Sequence, residues 1–591
     1  MLVITVGGQR VAAAQQPTQP LDTVRVTSRT GVAAAEARSI TVLGRDDIAR
    51  TAARTVGDLI AVRLGTDLLT RSPASADIAL RGASYEGVVI LVDGVRMRDA
   101  QSGHFNLDLA VPTEAIERIE ILRGTSSALY GADAVGGVIN IVTRSGAAPI
   151  RSLTVGGGSF GSAAVEAMAA ADLAGTRVSG AIDYSRSDGH RTGTDYRITQ
   201  ARGTMARNVS GGALKVNGGV GVRHFGAADF YGAYPAYEDT RTATAAANYD
   251  RGIGAGWWLT ARADARRHGD LFTLRRNDPA FYQNRHVSWQ SAEEVVVRRA
   301  LSAETAVASG VSFEDFRLTS ARLGNHTEQR RAWYTQATMS TGRASLDAGA
   351  RLDWSSLRGS FFSPSIAGSL PVGGRTVLRA SGARGFRAPT WTERYYVDPA
   401  NVGNPNLSSE LFWTGEAGLF AAITQRASFD GAVFVRRAND LVDWAKPIGA
   451  PDTTKWRTMN VDRATFRGVE AQVTVRDVAG ADWTLHGSGL DLDASDAAGF
   501  RGKYALSPIT KSLGLNTTFR LRRARLGVDG VGSRRVGEDA RFTANARLTV
   551  PLRRTQLALD FFNLTNAGYR DVSGAPIAGR AVNVRLGWTG R

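Results

Sequence analysis

From about residue 150 onward the chain is written in short segments of strict apolar and polar alternation. In residues 177–185, Val178, Gly180, Ile182 and Tyr184 share one face, and Ser179, Ala181, Asp183 and Ser185 share the other. In 214–223, Leu214, Val216, Val220 and Val222 oppose Lys215, Asn217 and Arg223. In 257–266, Trp257, Leu259, Ala261 and Ala263 oppose Thr260, Arg262, Asp264 and Arg266. Residues 541–552 set Phe542, Ala544, Ala546, Leu548, Val550 and Leu552 against Arg541, Thr543, Asn545 and Arg547. A period of two is the signature of strands with two unlike faces.

A soluble sandwich also alternates, but three features favour another architecture. The pattern continues for some 440 residues, its segments run to about ten residues, and its connections are alternately tight and long. Residues 156–158 (Gly-Gly-Gly) read as a tight connection and the aromatic stretch 230–237 as a long one. This predicts a membrane all-β fold, a transmembrane β-barrel whose polar face lines a lumen. Closure satisfies every backbone polar group in lipid. At about 20 residues per strand with its share of loop, the region holds roughly 22 strands, wide enough to need a plug.

Residues 21–146 follow a different grammar. Residues 46–53 and 55–60 read as short helices, with Thr55 capping the second. Residues 77–80, 88–92, 116–122 and 138–142 read as short strands, and Asp93-Gly94 as a turn. The stretch predicts a compact α+β domain, sized to plug the barrel. Before it, residues 1–20 read as a truncated or atypical export signal and linker, with the Ala12-Ala13-Ala14 run before Gln15 resembling a cleavage site.

Composition narrows the function. Hydrophobic residues make up 43% of the 591 and charged residues 21%, which excludes a disordered chain. No stretch approaches the roughly 20 apolar residues of a spanning helix. The absence of Cys excludes disulfide scaffolds, thiolate zinc sites, iron–sulfur clusters and Cys nucleophiles. The formal charge of +17 comes almost wholly from Arg, scattered without a stripe, so no nucleic-acid partner is expected. An Arg-rich composition or an anionic ligand or surface accounts for it equally. The seven His are dispersed, and Asp46-Asp47 and Glu293-Glu294 are isolated pairs, so no catalytic site, cofactor or metal site is assigned. The acidic residues Asp188, Asp195, Asp229, Glu238 and Asp239 are too sparse to define a calcium site.

Several motifs carry a family resemblance. In the first domain they are Ile78-Ala79-Leu80-Arg81-Gly82, Val92-Asp93-Gly94-Val95, residues 116–124, residues 126–131 and residues 136–142. In the barrel they are residues 385–390, 403–407 and 466–470, then Asn563-Leu564-Thr565-Asn566 and a last alternating strand through Trp588. In this order they resemble the TonB-dependent outer-membrane receptors. The resemblance implies a TonB box at residues 21–28, with Asp22, Thr23, Val24, Arg25 and Val26 adding as a strand to the TonB protein. It then implies a plug over 29–146 and a barrel over 147–591, acting as a monomer among outer-membrane lipid and lipopolysaccharide.

The resemblance also places the ligand. Two plug loops, 71–76 and 96–106, share the outer end, giving Arg71, Ser72, Ser75, Arg98, Asp99, Gln101, His104, Phe105 and Asn106 as apex contacts. A solvated loop is the plainer reading of the same residues. Phe230, Tyr231, Tyr234 and Tyr237 suit a large flat ligand or a girdle at the membrane interface. Residues 99–106 and 225–237 resemble the vitamin B12 branch, which implies cobalamin or a related corrinoid as cargo. A ferric siderophore or haem is the alternative, and a passive porin-like channel is the alternative of another class.

Overall fold

The computed structural model describes residues 38–144, 149–230, 232–342, 344–570 and 574–590. The expected coupling segment, Asp22 to Val26, and Tyr231 lie outside the described residues.

Among the described residues, 22 antiparallel strands close into a barrel. Alternation is resolved as the sequence requires. Ile182, Val220, Trp333 and Phe542 are about half exposed on the lipid side, whereas Asp183, Asn217 and Arg266 are buried on the lumen side. No helix among the described residues is long and apolar enough to cross a membrane. One end carries two-residue turns, at 174–175, 210–211, 255–256 and 553–554, and the other carries long loops, such as 388–409 and 563–580.

The residues 156–158 do not form a connection. They end the first barrel strand, Ile150–Gly158, and the turn is made by 159–161. A side chain at 156 or 158 would strike Arg585 or Asn583 of the strand that closes the barrel, so glycine is needed there for strand packing. Asp270, Leu271 and Phe272 belong to the strand Trp257–Thr273, and 274–282 form the loop after it.

The plug fills the lumen. Its strands are β1 (Ile40–Leu43), β2 (Thr66–Ser72), β3 (Ser75–Leu80), β4 (Val88–Val92), β5 (Val95–Arg96), β6 (Ile116–Arg123) and β7 (Gly137–Thr143). One sheet runs β1-β6-β7-β4-β5, and β2-β3 forms a separate hairpin. The buried strand β4 reads VVILV, a continuous apolar run, because both its faces are covered. Helices α1 (Arg45–Arg50) and α2 (Val56–Ala61) pack on this core, each within a few residues of the span read from the sequence. Thr55 caps α2: its hydroxyl accepts from the Asp58 N–H at 3.2 Å, and the Asp58 carboxylate accepts from the Thr55 N–H at 3.0 Å. At the β4–β5 turn Asp93 and Gly94 both have positive φ, 54° and 83°, the backbone of a tight hairpin.

Charged pairs fasten plug to wall. Arg81 donates from Nε and Nη2 to both oxygens of Glu470, at 3.0 and 2.8 Å, and from Nη1 to Glu416 at 2.5 Å. Arg123 adds a contact to Glu470 at 3.2 Å. All four side chains are at most 6% exposed. Asp93 ties the hairpin tip to barrel residues Arg202, at 2.9 Å, and Lys215, at 3.1 Å.

Candidate functional site at the outer end of the plug

The β2–β3 turn and the segment after β5 meet beneath the long loops. Arg71, at the end of β2, donates to Ser75 Oγ at 2.6 Å and to the His104 carbonyl at 3.3 Å. Its guanidinium also lies 3.6 Å from Glu238 and over the Phe105 ring at 5.0 Å. Ser102 caps the short turn that carries His104, its hydroxyl accepting from the His104 N–H at 3.3 Å.

His104 is held from both ring nitrogens. Nδ1 is 2.6 Å from Asp77 and Nε2 is 2.9 Å from the Tyr85 hydroxyl, while the ring stacks on Tyr85 with centroids 4.5 Å apart. Burial pushes the Asp77 carboxyl well above its ordinary range, and burial with the nearby Arg71 charge holds His104 well below its own. Both shifts favour the uncharged forms of the pair.

These residues floor a cavity closed over by barrel loops. Tyr504 stands edge-on to Tyr85 at 5.0 Å and to His104 at 5.8 Å. Phe230 meets His104 edge-on at 6.4 Å, with Lys503 over the Phe230 ring at 5.7 Å. Tyr396 and Trp444 complete the aromatic lining, and the carboxyl groups are Glu86, Glu238, Asp270 and Glu393. The cavity holds about 70 Å³, well below the roughly 300–1,000 Å³ of ordinary ligand sites.

Of the residues singled out in the sequence, Arg71, Gln101, His104, Phe105 and Phe230 line this cavity. Ser72 and Ser75 face a neighbouring cleft instead. Arg98 and Asp99 turn toward buried partners. Arg98 pairs with Asp133 at 2.9 Å, and Asp99 Oδ2 accepts from Arg266 at 3.1 Å and Ser288 at 3.0 Å. The Asn106 side chain accepts from the Asp99 N–H at 3.0 Å, fixing the loop rather than facing the cavity. Tyr234 and Tyr237 sit in or beside the outer loop, under Arg275 at 5.7 Å and Arg276 at 4.2 Å respectively.

Sequence reading missed Tyr85, Glu86, Glu393, Tyr396, Trp444, Lys503 and Tyr504. One signal was available: Thr390-x-x-Glu393 is a capping box, and it starts the helix Trp391–Tyr395 that brings Glu393 to the cavity. The others come from separate loops with no shared spacing.

A 22-strand barrel, filled by a charged plug with an aromatic cavity at its outer end, defines a plugged outer-membrane receptor rather than an open pore. The family comparison makes this specific. Residues 33–138 match the TonB-dependent Receptor Plug Domain, and residues 176–589 match the TonB dependent receptor-like beta-barrel. The chain belongs to the TonB-dependent receptor family, whose members are outer-membrane transporters and receptors of Gram-negative bacteria, not enzymes.

Among its relatives, the Vitamin B12 transporter BtuB of Vibrio vulnificus is 25% identical over 490 residues, 77% of this chain and 76% of the relative. The BtuB of Photobacterium profundum is 24% identical over 73% of this chain and 72% of that relative. Among solved structures, the siderophore receptor PirA from Pseudomonas aeruginosa superposes with a TM-score of 0.74 at 17% identity, covering 93% of this chain and 99% of that one. The ferric enterobactin receptor PfeA of the same organism gives 0.77 at 16% identity, covering 94% and 98%. At such identities the structures share the fold.

Proposed function

We propose that the chain imports cobalamin or a related corrinoid. The observation that carries the reading is the lining of the apex cavity. Seven aromatic rings, from Tyr85, Phe105, Phe230, Phe272, Tyr396, Trp444 and Tyr504, offer flat apolar contact to a macrocycle. Four carboxyl groups stand against two cationic side chains, Arg71 and Lys503. With no excess of cationic groups, the lining gives a polyanionic ferric chelate little electrostatic attraction. The extended similarity to vitamin B12 transporters supports the same substrate class.

Ligand at the apex would release residues Asp22 to Val26 to pair with TonB, and force from the inner-membrane proton gradient would then remodel the plug. Calorimetry on the purified receptor tests the substrate: cyanocobalamin binds and ferric enterobactin and haem do not. Binding of an iron chelate alone overturns the corrinoid reading. Deleting residues 22–28 should abolish uptake in cells and leave binding intact; uptake that survives the deletion would mean a passive channel.

A further inference from the structure

A second cavity, of about 320 Å³, descends beside the plug. Its inner wall is α2 with the β2–β3 hairpin, and its outer wall includes the barrel strands Thr176–Ser187, Ala524–Arg535 and Arg541–Leu552. It starts among outer-loop residues, including His190 and Tyr569, and reaches Val111 and Thr113.

Its lining is rich in arginine. Arg54, Arg71, Arg191, Arg223 and Arg541 line it against three acids, and those acids are already engaged. Asp58 accepts from the backbone N–H groups of Arg54 and Thr55, at 2.9 and 3.0 Å. Asp67 receives two bonds from Arg535, both 2.8 Å, and Asp183 accepts from the Gln200 amide at 3.3 Å. Arg191 and Arg223 are matched by Asp229 at 2.8 Å and Asp108 at 3.1 Å.

Arg54 and Arg541 have no carboxylate partner among the described residues. Each guanidinium lies over an aromatic face, Arg54 on Phe562 at 3.9 Å and Arg541 on Tyr569 at 4.3 Å. A stacked guanidinium is fixed in orientation; Arg541 spends its Nε–H on Ser533 Oγ at 3.3 Å and presents its terminal N–H groups to an oxyanion. Two such groups on facing walls of one polar cleft are placed to receive a phosphate or carboxylate.

We propose that this cleft is a second binding site, distinct from the apex, which takes the anionic group of the transported solute. Only the identity of the cargo rests on the corrinoid reading. A corrinoid with its nucleotide tail carries both a flat macrocycle and a phosphodiester, so the aromatic apex suits the first and the arginine cleft the second.

The chain has no Cys, so a single Ser185→Cys on the cleft wall reports access in the purified full-length receptor. The rates of modification by a sulfonate and by a trimethylammonium methanethiosulfonate are each divided by the rate with free 2-mercaptoethanol. The sulfonate should be favoured about tenfold, falling to within about twofold in Arg54→Gln/Arg541→Gln. A ratio near one, or a ratio unchanged by the double substitution in a receptor that keeps its folded electrophoretic mobility, overturns the site.

A second arm compares cyanocobalamin with cobinamide, which lacks the phosphodiester. The double variant should weaken the first about fivefold or more and leave the second unchanged. Equal weakening of both means that the cleft does not read the phosphate. Should neither corrinoid bind, the proposed cargo falls, while the sulfonate preference still upholds an anion site.

Discussion

Replacing Arg81 with Met removes a buried charge and keeps most of the side-chain volume. Arg81 makes three charge-assisted bonds, two to Glu470 and one to Glu416. At about 1.5–3 kcal/mol each, their gross loss is about 4.5–9 kcal/mol. Desolvation already offsets part of that, and removing one partner of a buried pair costs about 3–5 kcal/mol. Among the described residues Glu470 keeps Arg123 at 3.2 Å, whereas Glu416 keeps the Ser39 hydroxyl at 2.5 Å and no cation within ion-pair distance, so Glu416 is the orphaned charge. The assay is alkylation of a single cysteine at the buried Ala79 position across a urea series. With a slope of about 2 kcal/mol per molar, the plug midpoint should fall by about 2 M while the barrel stays folded. Adding Glu416→Gln should restore at least half of the loss. An unchanged midpoint, or a double variant no better than the single, would refute the assignment of the latch to these charges.

Three further outcomes follow from the plug. Thr55→Ala deletes the α2 cap and should lower plug stability by about 1 kcal/mol, read from the same midpoint. Gly137 has a φ of 153° and a Cβ there would press into the Leu122 carbonyl oxygen; Gly137→Ala should cost about 3 kcal/mol or more and leave the plug protease-sensitive inside an intact barrel. Glu86 is pushed up from 4.5 to about 8, first by burial and then by the neighbouring Glu393, with Arg387 acting in the opposite sense. The folded plug therefore holds a proton that the unfolded chain releases, so stability falls as pH rises from 4.5 to about 8. Midpoints at pH 5 and pH 8.5 should differ less in Glu86→Gln than in the parent; an equal difference would remove Glu86 as the cause.

The architecture was legible in the sequence because a strand with unlike faces must alternate, and the alternation from residue 177 to residue 552 survives as lipid and lumen faces. The plug strands were legible for the opposite reason: β4 is apolar on both faces, β7 is apolar but for Asn140 and its terminal Thr143, and the Asp93-Gly94 turn announces itself. The triple glycine misled because an absent side chain serves a tight turn and a close strand contact equally well. The apex was legible only in part. His104 and Arg71 stood out by type and place, yet Arg98 and Asp99, in the same loop, are consumed by buried partners that local sequence cannot reveal. Tyr504 and Trp444 reach the cavity through barrel closure, which brings together residues with no common spacing.

The strands that seal the wall, Ile150–Gly158 and Ala581–Gly590, are linked across 423 positions by the Ser159 hydroxyl and the Val582 N–H. Synthesis therefore delivers the plug long before there is any lumen to hold it. During that interval Arg81 and Arg123 lack Glu416 and Glu470, because those strands have yet to be made. The ring around the plug is joined by its two extreme staves, so it can close only when the whole wall is present.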